Sequence, residues 1–299
     1  MDVRHLELLR ALADHGTVTA VARATHRTPS AVSQQLRTAS REAGTPLVER
    51  HGRGLRLTDA GRLLADGAHD VARALAQVQA RLDELRHQPT GTVSVAALPS
   101  VATFLLPPVL AELEGTGVDL EVTDVDLPEA RYPRLTRDHD LVVGHSLSAT
   151  VPAGVPELIC VELVREPLDI ALRPGHPLAA RSVLRPADLV DVEWYGVPLG
   201  FPFDAVRLAV EEATGAPVRV VQRLRDNRLV EALVAGSDRV AVLPRFTTHP
   251  GARVELRPLV GVTAARHVYA YARPDRAERL ACRRVLDALQ GAAAAAATP

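Results

Sequence analysis

The sequence contains no lysine, and arginine accounts for all 35 of its Lys+Arg residues. Because alanine is abundant as well, this usage indicates a GC-rich genome rather than a demand for the bidentate hydrogen bonds that a guanidinium forms. Arginine richness by itself is therefore no evidence that the chain binds nucleic acid. Such evidence has to come from where the arginines lie.

Cysteine is nearly as scarce. Cys160 and Cys282 are the only two, they lie far apart, and neither belongs to a C-x-x-C motif. We therefore expect two small buried side chains rather than a redox pair or a metal site. The 11 histidines are dispersed, with no i, i+4 pair on a helix face, so the sequence predicts no metal and no cofactor.

Long apolar runs and catalytic motifs are absent too. No run approaches the roughly 20 apolar residues that cross a bilayer, and Met1–His5 opens an amphipathic pattern with no export signal. These observations predict a cytoplasmic protein without a membrane partner. The motifs G-x-S-x-G and H-E-x-x-H and the P-loop are missing, so enzymatic activity and catalytic residues are not expected.

The net charge of -1 hides an uneven distribution. Residues 1–58 hold nine arginines against five acidic residues, a net charge of +4, whereas residues 59–88 carry -1 and the remainder -4. A basic N-terminal region followed by an acidic remainder is typical of a protein that binds a polyanion through its N-terminal region alone. With 299 residues, the chain is long enough for two or three compact units.

The first 61 residues predict a helix-turn-helix followed by a hairpin. The first helix spans about Val3–His15, and its expected buried positions are Leu6, Leu9 and Ala13. Thr17 begins a shorter helix that leads into a turn. Thr28 can then cap a third helix, and Pro29 suits its first position, where the missing N–H would be unpaired anyway.

The third helix has an apolar face and a polar one. The expected inward positions are Ala31, Val32 and Leu36. The outward positions are Ser30, Ser33, Gln34 and Arg37. Short hydrogen-bonding side chains and a guanidinium on the first turns of an exposed helix are what reading of the DNA major groove requires. A polar, merely solvated helix face gives the same pattern, and the helix alone does not separate the two.

A basic hairpin follows this helix. Gly52 and Gly54 mark a tight turn between two short strands. The arginines along the hairpin are Arg50, Arg53 and Arg56. Their side chains can reach phosphates or an adjacent minor groove, so the hairpin favours DNA binding over a solvated face.

Together these residues resemble the winged helix-turn-helix domain of LysR-type transcriptional regulators. The matching stretches are Ser30–Ser33, Gly44–Arg50 and Leu57–Gly61. The resemblance implies that residues 1–58 form a domain that binds double-stranded DNA, and that RNA polymerase is a partner. The residues it implies for the DNA contacts are Thr28, Pro29, Ser30, Ser33, Gln34, Arg37, Arg50, Arg53 and Arg56.

The chain departs from the family pattern around the third helix. Small or polar residues replace the usual bulky apolar ones at Thr25, Arg27, Ala39 and Ala43, so a smaller core is expected. Pro29 stands where the family usually has glutamine, which removes one base contact. We therefore expect an operator preference shifted from the usual one.

A long uninterrupted helix is predicted from Thr58 to about His87, and residues 59–90 are assigned as a linker helix and hinge. Its apolar residues alternate in spacings of four and three, at Leu64, Ala68, Val71, Leu75, Val78, Leu82 and Leu85. Such a heptad seam needs a partner helix, which indicates a homodimer or a homotetramer of dimers. The LysR resemblance implies the same dimerisation role. The alternative is one amphipathic helix packed on its own domain.

Strand-like and helical runs alternate over residues 91–299. Their order predicts two α/β lobes, with lobe I at about 91–163 and 267–299 and lobe II at about 164–266. The chain is expected to cross between the lobes near 161–165 and near 264–267.

Two stretches of this region, Arg173–Ala179 and Val240–Pro244, match ones common in the LysR effector domain. The region as a whole resembles that domain, which has the two-lobed periplasmic-binding-protein-like fold. The resemblance implies that a small-molecule effector binds between the lobes, in a cleft next to Ser100.

The topology also predicts which loops face that cleft. Ligands of open α/β lobes bind beyond the carboxyl ends of strands, where helix N-termini offer unpaired N–H groups. The loops expected there supply Ser100, Val101, Thr103, His145, Ser146, Phe201, Phe203, Asp226 and Asn227. Simpler interpretations stay open, because Ser100 and Asp226 also suit helix caps and His145 also suits a solvated loop.

The preferred interpretation is a multidomain α+β protein with an N-terminal winged helix-turn-helix, a long dimerisation helix and a two-lobed α/β domain. Its expected function is sequence-specific regulation of transcription under the control of an unidentified small molecule. The alternative is a solute-binding or enzymatic α/β clamp whose N-terminal helices serve only for assembly. A steep salt dependence of DNA affinity separates the first from the second.

Overall fold

The computed structural model describes residues 2–52, 54–85, 90–147, 157–248 and 253–298. The chain folds into two compact units. One unit comprises residues 1–90 and 273–283, and the other comprises residues 91–272 and 284–299. Within the described ranges, no helix combines the length and the apolar character that a membrane span requires.

The first unit contains the winged helix-turn-helix and the long helix. Its N-terminal elements are α1 Val3–His15, α2 Val18–Ala24, α3 Pro29–Ala43, β1 Val48–His51, β2 Gly54–Leu57 and α4 Asp59–Leu85. The side-chain oxygen of Thr28 caps α3 by accepting a hydrogen bond from the backbone N–H of Ala31 at 3.2 Å. The two strands pair antiparallel, so the predicted helices and hairpin are all present.

The core beneath these helices differs from the predicted one at three positions. Ala13 and Ala31 are exposed, and Leu6 is only half-buried. The positions that are buried include Leu8, Leu9, Leu12, Val32, Leu36 and Ala39. The predicted burial of Ala13 and Ala31 was therefore wrong. In α1, Leu8 and Leu12 occupy the core in place of Ala13, because a leucine buries more apolar area than an alanine does.

The backbone of α4 at Gly61 lies so close to the backbone of Leu47 that there is no room for a side chain. A Cβ atom at this position would lie 2.1 Å from the carbonyl oxygen of Leu47. Thr58 fastens the same place, because its N–H donates to Leu47 O at 3.1 Å and its side-chain oxygen accepts from the N–H of Gly61 at 3.1 Å. The start of α4 thus rests directly on the backbone that leads into β1.

The long helix α4 leaves part of its apolar seam in solvent. Ala65, Ala68 and Ala80 are buried, although the heptad pattern predicts Ala68 in the seam that faces a partner helix. The exposed seam residues are Leu75 at 51%, Val78 at 65%, Leu82 at 39% and Leu85 at 79%. His87, the predicted end of the helix, lies outside the described residues.

The second unit is a two-lobed α/β domain, and this confirms the predicted fold class. Its first elements are β3 Gly91–Ala97, α5 Pro99–Leu113, β4 Val118–Asp124, a 3-10 helix at Glu129–Arg137, β5 Leu141–Ser146 and β6 Ile159–Leu172. Short 3-10 helices follow at Pro177–Ala180 and Pro186–Leu189. The remaining elements up to the last strand are β7 Trp194–Gly196, α6 Asp204–Thr214, β8 Val220–Arg223, α7 Asn227–Ala235, β9 Val240–Pro244, β10 Glu255–Arg257 and β11 Ala265–Ala272.

Strands β3 to β11 form one mixed sheet in the order β4-β3-β5-β11-β6-β9-β7-β8, with β10 also paired to β6. The long strand β6 belongs to both lobes. Its residues up to Pro167 pair with β11, and its residues from Leu168 pair with β9. The change of partner at Pro167–Leu168 lies a few residues beyond the expected crossing at 161–165, because 161–165 are still paired within lobe I.

The C-terminal helical region is divided. Helix α8 covers Pro274–Ala277 and belongs to the first unit, and helix α9 covers Leu280–Ala297. Alanine has the highest helix propensity of the residues, and Ala292 and Ala293 are buried. The alanine-rich end is therefore helical to Ala297, and it is packed at Ala292 and Ala293.

Candidate DNA-binding surface and effector cavity

The predicted reading face lies on the first turns of α3. Ser30, Gln34 and Arg37 are exposed, and Ser33 is half-buried. Arg37 Nη2 donates to Gln34 Oε1 at 2.8 Å, which orients the two side chains together. In this bond the amide oxygen of Gln34 is the acceptor, so the amide N–H groups of this exposed side chain can act as donors. Acceptor atoms of base edges in the major groove match such donors.

The structure does not bring the predicted hairpin arginines together. Arg50 pairs with Leu55 across the hairpin, whereas Arg56 pairs with Glu49. Because successive residues of a strand point to opposite faces, Arg50 and Arg56 project from different faces. Arg56 Nε also donates to Glu49 Oε1 at 2.7 Å. Arg53 lies outside the described residues.

The second unit contains a cavity of about 350 Å³. It opens where β3, β5 and β9 end, next to the first turns of α5 and α7. The lining residues are Leu98, Pro99, Ser100, Thr103, Asp126, His145, Val197, Phe201, Pro202, Phe203, Arg225, Asp226, Asn227, Arg228, Glu231, Thr247, Thr248 and Arg266. Seven of the nine predicted effector residues therefore meet at one cavity.

Val101 and Ser146 do not line this cavity. Val101 is fully buried in the core, because the helix begins at Pro99 and turns this side chain inward. Ser146 is also fully buried, and its hydroxyl contacts the carboxylate of Glu129. Neither side chain is part of the cavity wall.

Arg266 is a cavity residue that the sequence prediction missed. Its side chain is 1% exposed and lies beside Glu166, which is fully buried. Its Nε donates to Glu166 Oε2 at 2.7 Å, and its Nη1 donates to Ser100 Oγ at 2.9 Å. Its Nη2 lies 2.6 Å from the same carboxylate oxygen without hydrogen-bond geometry. The buried Arg266 is therefore fixed against the hydroxyl of Ser100, which the sequence predicts as an effector residue.

The sequence does carry a signal for Arg266. Arg266 shares the two-residue period of β11 with Val268 and Ala270, which are buried. A charged residue in an otherwise apolar inward register is a candidate for a paired, functional group. Its partner Glu166 lies 100 residues away along the chain, so only the folded sheet identifies the pair.

His145 is buried at the end of β5. Its exposure is 5%, so the alternative of a solvated loop residue was wrong. Burial, and then repulsion from Arg266, lower the pKa of His145 to about 3, which keeps its ring neutral at pH 7. The ring lies edge-on to Tyr132 and Phe203, at centroid distances of 5.9 and 6.4 Å. Within the described residues, its Nδ1 has no hydrogen-bond partner.

Two phenylalanines form an apolar wall of the cavity. Phe203 is buried, with the Arg266 guanidinium 5.5 Å from its ring centroid. Phe201 is half-buried, and the Arg225 guanidinium lies 4.7 Å from its ring centroid. Such cation–π contacts hold arginines against aromatic faces. The wall combines a flat apolar surface with donors at its edges.

Helix capping accounts for part of the polar lining. Asp226 caps α7, because its Oδ1 accepts from the N–H groups of Arg228 at 2.8 Å and Leu229 at 3.0 Å. Thr103 donates its hydroxyl to Pro99 O at 2.9 Å. Asp226 thus caps a helix and lines the cavity at once. In the described part of the chain, no cluster of His, Cys, Asp and Glu could hold a metal ion.

Both cysteines lie away from the cavity lining. Cys282 is 1% exposed in α9, and Cys160 is half-buried in β6. Burial, followed by the charge of Glu162, raises the pKa of the Cys160 thiol. A raised pKa keeps the group in its weakly nucleophilic thiol form.

Comparison with known proteins agrees with this architecture. A model of the bacterial regulatory helix-turn-helix protein, lysR family, matches residues 3–62, and a model of the LysR substrate binding domain matches residues 86–294. The DNA-binding transcriptional dual regulator OxyR of Escherichia coli (strain K12) is 28% identical over 262 residues, which cover 84% of this chain and 81% of that protein.

A second relative and a solved structure also match this chain. The hydrogen peroxide-inducible genes activator of Pectobacterium carotovorum subsp. carotovorum is 31% identical over 192 residues, 63% of this chain and 62% of that protein. The structure of full-length OxyR from Pseudomonas aeruginosa covers 97% of this chain and 94% of its own, with a TM-score of 0.65 at 20% identity. The chain belongs to the LysR family and is a DNA-binding transcriptional regulator with an effector-binding domain.

Proposed function

We propose that the regulator reads its operator with Ser30, Gln34 and Arg37 on α3. The Gln34–Arg37 hydrogen bond supports this role, because it presents several donors in one orientation before DNA binds. Thr28 and Pro29 fix the start of the helix, and Ser33 lies at the edge of the reading face. Arg50, Arg53 and Arg56 contact phosphates or the adjacent minor groove, with Arg50 and Arg56 doing so from opposite faces of the hairpin.

The effector occupies the cavity that Arg266 and Ser100 border. This fixed pair carries the proposal, because a buried arginine held at the wall of an open cavity can orient a ligand at little entropic cost. Arg266 is already neutralised by Glu166, so it offers hydrogen bonds more than net charge. His145 adds a neutral ring.

The effector class follows from the two walls of the cavity. Phe201 and Phe203 suit a flat apolar body, whereas Arg266 and Ser100 suit a carbonyl or carboxylate oxygen. The remaining predicted residues, Thr103, Asp226 and Asn227, line the mouth. We propose a small organic molecule with one such acceptor group, about the size that a cavity of this volume holds.

The assembly is a homodimer that buries the exposed seam of α4, or a homotetramer of such dimers. The seam residues are Leu64, Val71, Leu75, Val78, Leu82 and Leu85. Unpaired apolar side chains at heptad spacing gain most from a second helix. Ligand binding shifts the population of assembly states on DNA, and RNA polymerase responds at the promoter in the cytoplasm. A catalytic activity has no support in the sequence motifs.

A footprint on the DNA immediately upstream of the gene for this protein tests the DNA-binding proposal. We expect protection of two half-sites spaced by about one helical turn or a multiple of it. Arg37→Ala is expected to lower the affinity roughly tenfold, which corresponds to about 1.4 kcal/mol and lies within the range of about 1–3 kcal/mol for a lost base contact. Arg219→Ala removes an exposed arginine of the effector domain and serves as the matched control. Equal affinity for the wild type and Arg37→Ala would remove Arg37 from the reading face.

Hydrogen peroxide is expected to leave the DNA affinity of this regulator unchanged within about twofold, because the Cys160 thiol is kept protonated and Cys282 is buried. In this respect we expect the chain to differ from the hydrogen peroxide-inducible genes activator to which it is similar. The measurement is operator affinity before and after peroxide treatment, in the wild type and in Cys160→Ser. A large peroxide effect that Cys160→Ser abolishes would make Cys160 the sensor and would contradict the expectation.

A further inference from the structure

The segment that follows β11 packs with the winged helix-turn-helix. Residues 273–283 belong to the same compact unit as residues 1–90. Strand β11 carries Arg266 at the cavity wall, and the chain enters this segment directly at the end of that strand. The same short stretch of chain is thus attached at one end to the cavity strand and is packed along its length against α1 and α4.

Two ion pairs of opposite polarity join the segment to α1. Arg10 Nη1 lies 2.8 Å from Asp275 Oδ2, and Arg273 Nη1 lies 2.7 Å from Asp14 Oδ2. Arg10 and Asp14 are four residues apart and therefore neighbours on one face of α1. The segment offers an arginine and an aspartate in the complementary order, so a shifted register would place like charges together.

These pairs are largely removed from solvent. The side chains of Arg10 and Asp275 are 16% and 11% exposed, and those of Arg273 and Asp14 are 10% and 17% exposed. Burial opposes ionisation of Asp275, but the hydrogen bond from Arg10 and nearby arginines lower the pKa of this carboxyl below its ordinary value. Loss of one partner would leave a mostly buried charge uncompensated, which is much costlier than loss of a surface pair.

A second cluster joins the segment to α4. Glu278 accepts hydrogen bonds from Gln77 Nε2 at 2.9 Å and from Arg73 Nε at 3.3 Å. Arg283 Nη2 lies 2.5 Å from the other oxygen of the same carboxylate. The side chain of Glu278 is 15% exposed. The segment is therefore fixed to both α1, which supports the reading helix, and α4, which carries the exposed seam.

We infer that residues 273–283 are a docking segment that couples the cavity strand β11 to the DNA-binding unit through the exchanged pairs Arg10–Asp275 and Asp14–Arg273. The DNA-binding unit is incomplete without this segment. The segment restrains α1 and α4 together, and so it restricts how two reading helices can be spaced on an operator. The ion pairs and hydrogen bonds described above join the segment to α1 and α4 and not to the reading face of α3, so recognition of a single half-site is expected not to depend on it.

Hydrogen exchange of the full-length protein, without DNA or effector, tests the docking. The variants are Asp275→Arg, Arg10→Asp and the double variant with both changes. Each single change is expected to raise amide exchange in residues 273–283 and in the last turns of α1 by about tenfold or more, as local opening does. The double variant restores an opposite pair and is expected to return exchange to within about threefold of the wild type.

Two controls keep the result interpretable. Arg4→Asp changes an arginine of the same helix that is 77% exposed, and it is expected to leave these amides unchanged. Continued protection of β3 and β5 shows that each variant is folded. Unchanged exchange in the single variants, or no recovery in the double variant, overturns the docking. Recovery on mixing the Arg10→Asp chain with the Asp275→Arg chain would mean that the pairs form between copies and would overturn the assignment within one chain.

DNA binding tests the consequence separately. Asp275→Arg is expected to change the affinity for a two-half-site operator fragment by about fivefold or more, and to leave the affinity for a single half-site unchanged. The double variant is expected to restore wild-type affinity. An equal change on both fragments would overturn the proposed restraint on spacing. Absence of DNA binding by the wild type would contradict the reading proposal, while the exchange result would still decide the docking.

Discussion

Replacing Arg266 with methionine is expected to lower the free energy of unfolding of the effector domain by about 3–5 kcal/mol. Methionine preserves much of the apolar length of the side chain but removes the guanidinium beside Glu166. That carboxylate is fully buried, and among the described residues it would keep the N–H of Phe246 as its hydrogen-bond donor, at 2.8 Å. Chemical denaturation followed by a probe in the effector domain measures the change.

The matched control is the double variant Glu166→Gln/Arg266→Met. A glutamine oxygen can still accept from Phe246, and it leaves no unpaired charge in the core. We therefore expect the double variant to recover most of the lost stability, since replacement of a whole buried ion pair is far milder than loss of one partner. A double variant as unstable as Arg266→Met would show that packing, and not the unpaired charge, dominates at this site.

Replacing Gly61 with alanine is expected to destabilise the winged helix-turn-helix by about 1–3 kcal/mol or more. The new Cβ would meet the backbone carbonyl of Leu47 at 2.1 Å, and a backbone atom cannot rotate away as a flexible side chain can. The start of α4 would have to separate from the hairpin. Thermal unfolding and operator affinity measure the two consequences, and both are expected to fall.

The same helix provides a control for this substitution. Gly67 also lies within α4, but a Cβ there would meet nothing within 4 Å. Gly67→Ala is therefore expected to stabilise the protein by about 0.5–1 kcal/mol, because alanine is the better helix former. Similar effects of the two substitutions would contradict the close approach of Gly61 to the hairpin.

Periodic and local features were predictable from the sequence. Helix α1 was predicted with the bounds that the structure gives, and Thr28 with Pro29 predicted the start of α3. Capping residues and apolar spacing act over a few residues, so their signal is contained in the neighbouring sequence. The choice of core residues within α1 was less predictable. The helix has more apolar residues than one face can hold, and packing against other elements selected Leu8 and Leu12 over Ala13.

The cavity residues also divide into those that the sequence predicted and those that it did not. The topological rule placed Ser100, Phe203 and Asp226 near the carboxyl ends of strands, and all three line the cavity. The rule did not identify Val101 as buried, because one residue of shift at a helix start changes which side chain faces inward. Arg266 was missed altogether, since its role depends on a partner in a distant strand.

By itself, the sequence determined the family, the order of the domains, the capped start of helix α3 and the heptad spacing of α4, because each depends on residues that are close together in the chain. Tertiary structure alone decided that Glu166 and Arg266 pair beneath the cavity and that His145 is buried and neutral. It also decided that Arg10 and Asp14 meet residues from the far end of the chain. These features join segments that are remote in sequence, and burial gives their charges an energetic weight that no local pattern reveals.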